Sequence, residues 1–212
     1  MPEEPRILWQ DERLLFLLKP AGVASQADRD GQPSLLDWLA RQGHRCDPVH
    51  RLDRPVGGIM VFGLDPESVR RLSRQFANRE VQKTYLAVTR PAPEPSEGEL
   101  RHLLAHDRRR NLARVSPSGR PGELTYRTIR TAGPLALLEV VPHTGRPHQI
   151  RAQLAAIGCP ILGDTRYGAR KPLNDRSIAL FASRLRLRHP FSGQELEARC
   201  TPEGSPWNRF EP

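Results

Sequence analysis

The sequence predicts an α+β fold in which a mixed, mostly antiparallel sheet carries a few flanking helices. Three observations point there: apolar runs of strand length, turn residues between successive runs, and three stretches at helical spacing with caps. At 212 residues, 37% of them hydrophobic, the chain is long enough for one well-buried domain, or one domain with a small appendage. It reads as a single domain over 1–212 with its core from about residue 7 to 200, and no internal repeat or low-complexity tract divides it.

Ile7-Leu8-Trp9 and Leu14 to Leu18 read as two strands across the turn Gln10-Asp11-Glu12-Arg13, and Lys19-Pro20-Ala21-Gly22 stops the second. Ser34-Leu35-Leu36-Asp37 is a capping box, with Ser34 accepting from the first turn and Asp37 reaching back; that helix runs on through Trp38 and Leu39 to Gly43. A strand follows over Gly58 to Leu64. Asp65-Pro66-Glu67 then supplies N-cap, first helical position and acidic first turn, with Val69, Leu72 and Phe76 as the core stripe.

Lys83 to Val88 is rich in strand formers, whereas Arg90 to Ser96 carries three prolines without backbone donors and reads as a surface loop. From Leu100 to Arg114 arginine and histidine crowd together around Arg108-Arg109-Arg110, as on a solvated face or a phosphate-contacting segment. Leu124 to Ile129 and Leu135 to Val141 form an antiparallel pair around Gly133-Pro134. A helix beyond Pro147 shows Ile150, Leu154 and Ile157 on its apolar face and closes at Gly158. Leu185 to Leu187 and Glu195 to Ala198 alternate as a last hairpin about Ser192-Gly193, and Trp207 and Phe210 dock the tail.

A net charge of +9 draws polyanions, and only Lys19, Lys83 and Lys171 are lysine, so nearly all the positive charge is arginine. Arginine forks onto phosphate and stacks on bases, which suits RNA. Cys46, Cys159 and Cys200 are odd in number and lack C-x-x-C spacing, so neither a disulfide framework nor a zinc site is expected. No apolar run reaches membrane-span length, and Met1-Pro2-Glu3-Glu4 opens with acid where a signal peptide needs base. The expectation is a cytoplasmic protein, without membrane contact, cofactor or metal, acting as a monomer.

The densest chemistry lies in His50-Arg51-Leu52-Asp53-Arg54-Pro55, followed by Gly57-Gly58 and the apolar Ile59 to Phe62. A carboxylate between two arginines and a histidine, just ahead of a glycine turn and a buried strand, should be ionised and aimed. Taken alone, an aspartate among arginines is a surface salt bridge. A second cluster, Thr144-Gly145-Arg146-Pro147-His148-Gln149-Ile150-Arg151, places two arginines at a helix start, where the macrodipole disfavours cations by up to about 1 kcal/mol. Arg151 shares a face with His148 beside the apolar stripe and could pair with Asp53; a salt bridge that only ties helix to sheet would make the same contact.

Together these runs resemble the RluA-type RNA pseudouridine synthases, in which the aspartate of the His-Arg-Leu-Asp run is catalytic. Gly158 to Asp164 and Tyr167-Gly168 extend the second cluster, Lys83-Thr84-Tyr85 is similar to a further motif, and the likeness covers Ile7 to the last hairpin, as in catalytic-domain-only members without a separate N-terminal RNA-binding domain. The resemblance implies a bent sheet with a cleft across its middle. It makes Asp53 the catalytic carboxylate, Arg151 the cation that holds it charged, and Tyr85 the ring stacked on the target uracil. Leu180 would close the other side of the base pocket, and Arg146 and His148 would contact phosphate or base. His50, Arg51, Arg54 and Lys83 complete the RNA-binding set, with Arg51 a candidate to fill the stack left by a flipped base.

The departures are Val56-Gly57 where the family usually has a hydroxyl before its glycine, Pro147 in place of threonine, and Phe181 in place of a common histidine. They bear on target preference more than on activity. The implied reaction is uridine to pseudouridine in structured rRNA or tRNA: the N1–C1′ bond breaks, the uracil rotates, and C5 joins C1′. One carboxylate serves, by attacking the sugar or by removing a proton from it. The residues also admit two rival readings, an RNA-binding protein without chemistry and a metal-dependent phosphoesterase using His50, Asp53, His143 and His148.

Overall fold

The apolar run after the paired glycines forms a strand whose residues Gly57 to Gly63 are all buried. It belongs to a computed structural model that describes residues 4–27 and 31–210. In chain order the strands and helices are β1 (Arg6–Gln10), β2 (Leu14–Lys19), α1 (Leu35–Arg41), β3 (Asp47–Pro48), β4 (Gly57–Gly63), α2 (Pro66–Ala77), β5 (Gln82–Thr89) and β6 (Glu97–Asp107). They continue as β7 (Leu112–Val115), β8 (Arg120–Ala132), β9 (Leu135–Pro142), α3 (Gln149–Ala156), β10 (Leu180–Arg188) and β11 (Glu195–Arg199), with 3-10 turns at Thr165–Tyr167 and Trp207–Phe210. The class is the expected one: mixed, mostly antiparallel strands with α-helices between them.

The chain forms two compact units, one from the residues up to Lys83 with Phe181–Pro202, the other from Thr84–Leu180 with the residues from Glu203 on. In the first, β2 pairs antiparallel with β1 on one side and with β4 on the other, Leu14 opposite Gly63 and Lys19 opposite Gly58. On its other flank β4 meets β10 in parallel, Gly57 opposite Phe181 and Gly58 opposite Ala182, and β11 closes onto β10 as the expected last hairpin. Gly58 stands at φ +126°, and a Cβ there would lie 2.4 Å from the Ala182 nitrogen. The glycine therefore permits both the backbone turn and the approach of β10.

Leu14, Phe16, Ile59, Val61, Leu72, Val81, Leu185, Leu187 and Ala198 form one buried cluster in this unit. Leu72 reaches it from α2, which starts as its cap chemistry required: Asp65 accepts from the amides of Glu67 and Ser68 at 2.9 and 3.0 Å. The capping box of α1 is complete as well, Ser34 and Asp37 each accepting the other's backbone N–H, at 3.3 and 2.7 Å respectively.

In the second unit β9 lies between β5 and β8, β8 pairs on with β6, and β6 with β7, all antiparallel. The basic stretch 100–114 is thus not merely a solvated run. It is a hairpin whose Leu100 and Leu104 are buried while Arg101 and Leu103 are exposed. Its histidines and arginines masked the alternation. Gln153 of α3, 0% exposed, donates to the carbonyls of Leu100 and Gly122 at 3.0 Å each, binding the helix to this sheet. No helix among the described residues is long and apolar enough to cross a membrane.

Candidate active site

Asp53 sits half-buried in the loop between β3 and β4, and the loop is fastened on both sides of it. Ahead, the Leu52 carbonyl accepts from the Ser25 hydroxyl at 2.8 Å and its amide donates back to the same oxygen at 3.2 Å. Behind, the Arg54 carbonyl accepts the Gly22 N–H at 2.7 Å, while Arg54 Nε donates to the Gly22 carbonyl at 3.0 Å. The Val56 amide closes a turn onto the Asp53 carbonyl at 3.0 Å.

Beneath this loop lies a residue to which the motif reading assigned no role. Lys19, last in β2 and 0% exposed, directs its ammonium at three carbonyls, those of Val23 (2.7 Å), Pro20 (2.9 Å) and Arg54 (3.4 Å). An ammonium has three donors, so each meets an acceptor. Burial nonetheless pulls its pKa down to about 7, the Asp53 carboxylate pulling it up and Arg54 pushing it further down. Lys19 therefore clamps turn and loop together and senses the charge on Asp53. The available signal was a lysine ending an otherwise apolar strand in a chain with so few lysines.

His50 faces inward. Its Nε2 accepts the Val61 amide at 3.0 Å and its ring stacks on Phe76, centroids 4.7 Å apart. Burial, with the nearby Lys83 cation second, holds its pKa down to about 3. A histidine at 6.5 in the unfolded chain and about 3 in the fold costs nothing above pH 6.5 and destabilises progressively as pH falls from 6.5 toward 3. Between pH 6.5 and 5 the loss should be about 2 kcal/mol. Urea midpoints across that range should fall for the native chain and stay flatter for His50→Gln, which keeps an acceptor for Val61. Arg51 is exposed and Arg54 half-buried on the same loop, while the half-buried Lys83 is pushed below its ordinary value by burial.

In the second unit Tyr85 lies on β5 opposite Val140 of β9, half-buried. The Thr144-to-Arg151 cluster is organised by Gln149, whose amide oxygen accepts from the Thr144 hydroxyl at 2.6 Å and the Arg146 amide at 3.0 Å. Arg146 Nε donates to the Pro121 carbonyl at 2.9 Å, and the buried His148 occupies the N-cap of α3 in the left-handed region, φ +52°. Leu180, 4% exposed, opens β10. Arg151, 3% exposed, forks onto Asp164, Nε to Oδ2 at 2.7 Å and Nη2 to Oδ1 at 2.9 Å. That buried pair offsets the cost of a cation in the first turn of α3.

The predicted set thus divides, with His50, Arg51, Asp53, Arg54 and Lys83 in the first unit and Tyr85, Arg146, His148, Arg151 and Leu180 in the second. Asp164 and Tyr167 extend the second sequence cluster, and nothing in their spacing shows that they engage Arg151. Among the described residues no three His, Cys, Asp or Glu side chains gather as a metal site.

Comparison with known proteins bears on this arrangement. Residues 13–156 match the family model described as RNA pseudouridylate synthase. The chain is 35% identical to tRNA pseudouridine synthase C of Salmonella typhimurium, covering 90% of this chain and 82% of that one. It is 32% identical to the dual-specificity RNA pseudouridine synthase RluA of Escherichia coli over 92% and 93% of the two chains. The structure of human RNA pseudouridylate synthase domain containing 1 is similar with a TM-score of 0.80 and 25% identity, over 95% of this chain and 84% of that one.

Proposed function

The chain belongs to the RluA-type RNA pseudouridine synthases and isomerises uridine to pseudouridine in RNA, and from that premise we propose how its residues carry the reaction. Asp53 is the reacting carboxylate. It either attacks C1′ as the N1–C1′ bond breaks, forming an ester bond that breaks when C5 bonds to C1′, or removes the C2′ proton as N1–C1′ breaks and returns it to C2′ when C5 bonds to C1′; in both the freed uracil turns between the two steps and the C5 proton leaves to solvent. Tyr85 stacks on the extruded uracil with Leu180 on its other side, and Arg151 keeps the Asp53 carboxylate charged.

The observation that carries this reading is the fastening of the Asp53 loop. A backbone held by Ser25, Gly22 and a buried ammonium on either side of a single carboxylate fixes where that carboxylate stands. Such pre-organisation serves a reacting group and is unnecessary for a surface ion pair.

RNA would be held by exposed arginines, Arg51 among them, with His50, Arg54, Lys83, Arg146 and His148 in or beneath that surface. Arg108, Arg109 and Arg110 at the tip of the β6–β7 hairpin are all exposed and suit phosphate contacts. Unstacking the target costs a few kcal/mol, and Arg51 fills the gap. The chain works as one catalytic domain and a monomer, in the cytoplasm, on structured tRNA or rRNA. Mapping pseudouridines in RNA from cells lacking the gene should show one or a few uridines left unmodified, and restoration by the native chain. An unchanged map would refute the reading.

A further inference from the structure

Tyr167 ends the 3-10 turn Thr165–Tyr167 and touches α3, its N-cap residue and β7 of the second unit at once. Its ring lies against the Arg151 guanidinium, Cζ 4.8 Å from the ring centroid. Its hydroxyl accepts the Ala113 amide of β7 at 2.8 Å and lies 2.9 Å from His148 Nδ1. One hydrogen bond joins the hydroxyl and Nδ1, its direction following the imidazole tautomer. His148 keeps a left-handed backbone that a non-glycine residue holds only where its surroundings determine it.

The same turn also grips the arginine hairpin. Arg166, next to Tyr167, donates to the carbonyls of Arg110 and Asn111. Asp107 accepts the amides of Arg109 and Arg110 at 2.9 and 3.1 Å, and His106 Nε2 meets the Asn111 side chain at 3.1 Å, so the tip has a defined shape. Residues 164–167 therefore hold Arg151 through Asp164 and Tyr167, and the hairpin through Arg166 and Tyr167. A fork-on-fork ion pair fixes a guanidinium within its plane but leaves it free to tilt about the pair. An aromatic face against Cζ removes that freedom.

We propose that Tyr167 is a positioning residue that sets the plane of the Arg151 guanidinium and registers it to the β6–β7 hairpin, so that hairpin and guanidinium keep one geometry. The proposal rests on the reading of Arg151 as part of the reacting machinery and goes beyond it in naming what aims the side chain.

The test takes the full chain in excess over 5-tritiated bulk RNA prepared from cells lacking the gene. It reads the maximal single-turnover rate of tritium release separately from the enzyme concentration that gives half of it. Tyr167→Phe, which keeps the ring and loses the hydroxyl, should slow the maximal rate about tenfold and leave half-saturation within about twofold; Tyr167→Leu should slow it about a hundredfold. A tyrosine that only supports the fold would lower Tm and leave the maximal rate per folded molecule unchanged, and that result in both variants overturns the proposal. Arg151→Lys separates the two layers. If it is slow while both Tyr167 variants run at the native rate, the positioning fails and the Arg151 reading stands; full activity in Arg151→Lys overturns both. In the Arg151→Lys background, Tyr167→Phe should cost under about twofold, and an undiminished tenfold loss there would mean the tyrosine acts elsewhere, which also overturns the proposal.

Discussion

Asp53→Asn is expected to bind RNA like the native chain and to release no tritium from RNA labelled at uridine C5. The substitution is isosteric, and the bonds that hold the loop come from its backbone and the Arg54 side chain: the Leu52 carbonyl to Ser25, the Arg54 carbonyl to Gly22 and Lys19, the Arg54 Nε to Gly22, and the Asp53 carbonyl to Val56. None of these uses the Asp53 carboxylate, so the fold should persist with a small change in Tm. The buried ammonium of Lys19 loses the negative neighbour that raises its pKa, and its pKa should fall further below about 7. The chemical step loses its only proposed nucleophile or base. Deleting such a group costs on the order of 10⁴- to 10⁶-fold. Multiple turnover at even a hundredth of the native rate would remove Asp53 from the centre of the mechanism.

Local rules read well where one signal decided an element. The capping box at Ser34 and Asp37, the Asp65-Pro66 helix start and the hairpin about Ser192-Gly193 all lie where short-range chemistry put them. The hairpin β6–β7 was missed because Leu100, Leu103 and Leu104 are not spaced as alternating residues, and the arginines around them look like a solvated run. Its register comes from pairing with β8, twenty or so residues further along the chain, which no window of sequence contains.

At the site, motif spacing singled out Asp53 and Arg151. It could not show that Arg151 has a buried carboxylate of its own, because Asp164 is thirteen residues away and reaches it only through the folding of the segment after α3. Lys19 was hidden for a related reason. Whether a lysine at a strand end points to water or to three carbonyls depends on turns contributed by residues 20–25 and 51–56, which come together only in the fold.

Arg151→Ala should lose both activity and stability, and the two losses can be separated. The Arg151 and Asp164 side chains are 4% and 1% exposed, and their fork-on-fork pair places the guanidinium where water cannot substitute for it. Removing the cation strands a buried carboxylate, at a cost of about 3–5 kcal/mol. In a chain of this size that corresponds to a fall in Tm of roughly 10 °C. Were the pair only structural, replacing both partners with apolar residues of similar volume, Arg151→Met with Asp164→Leu, should restore Tm and activity together, because no buried charge remains unpaired. A cation that acts on the Asp53 carboxylate predicts a different split. Stability recovers in the double variant to within about 1 kcal/mol of the native chain, while tritium release stays at least about a hundredfold down, since a thioether supplies neither charge nor donor to a reacting carboxylate. Thermal melts and single-turnover rates on the same three proteins decide between these outcomes, and a double variant active at the native rate would leave Arg151 with a role in the fold alone.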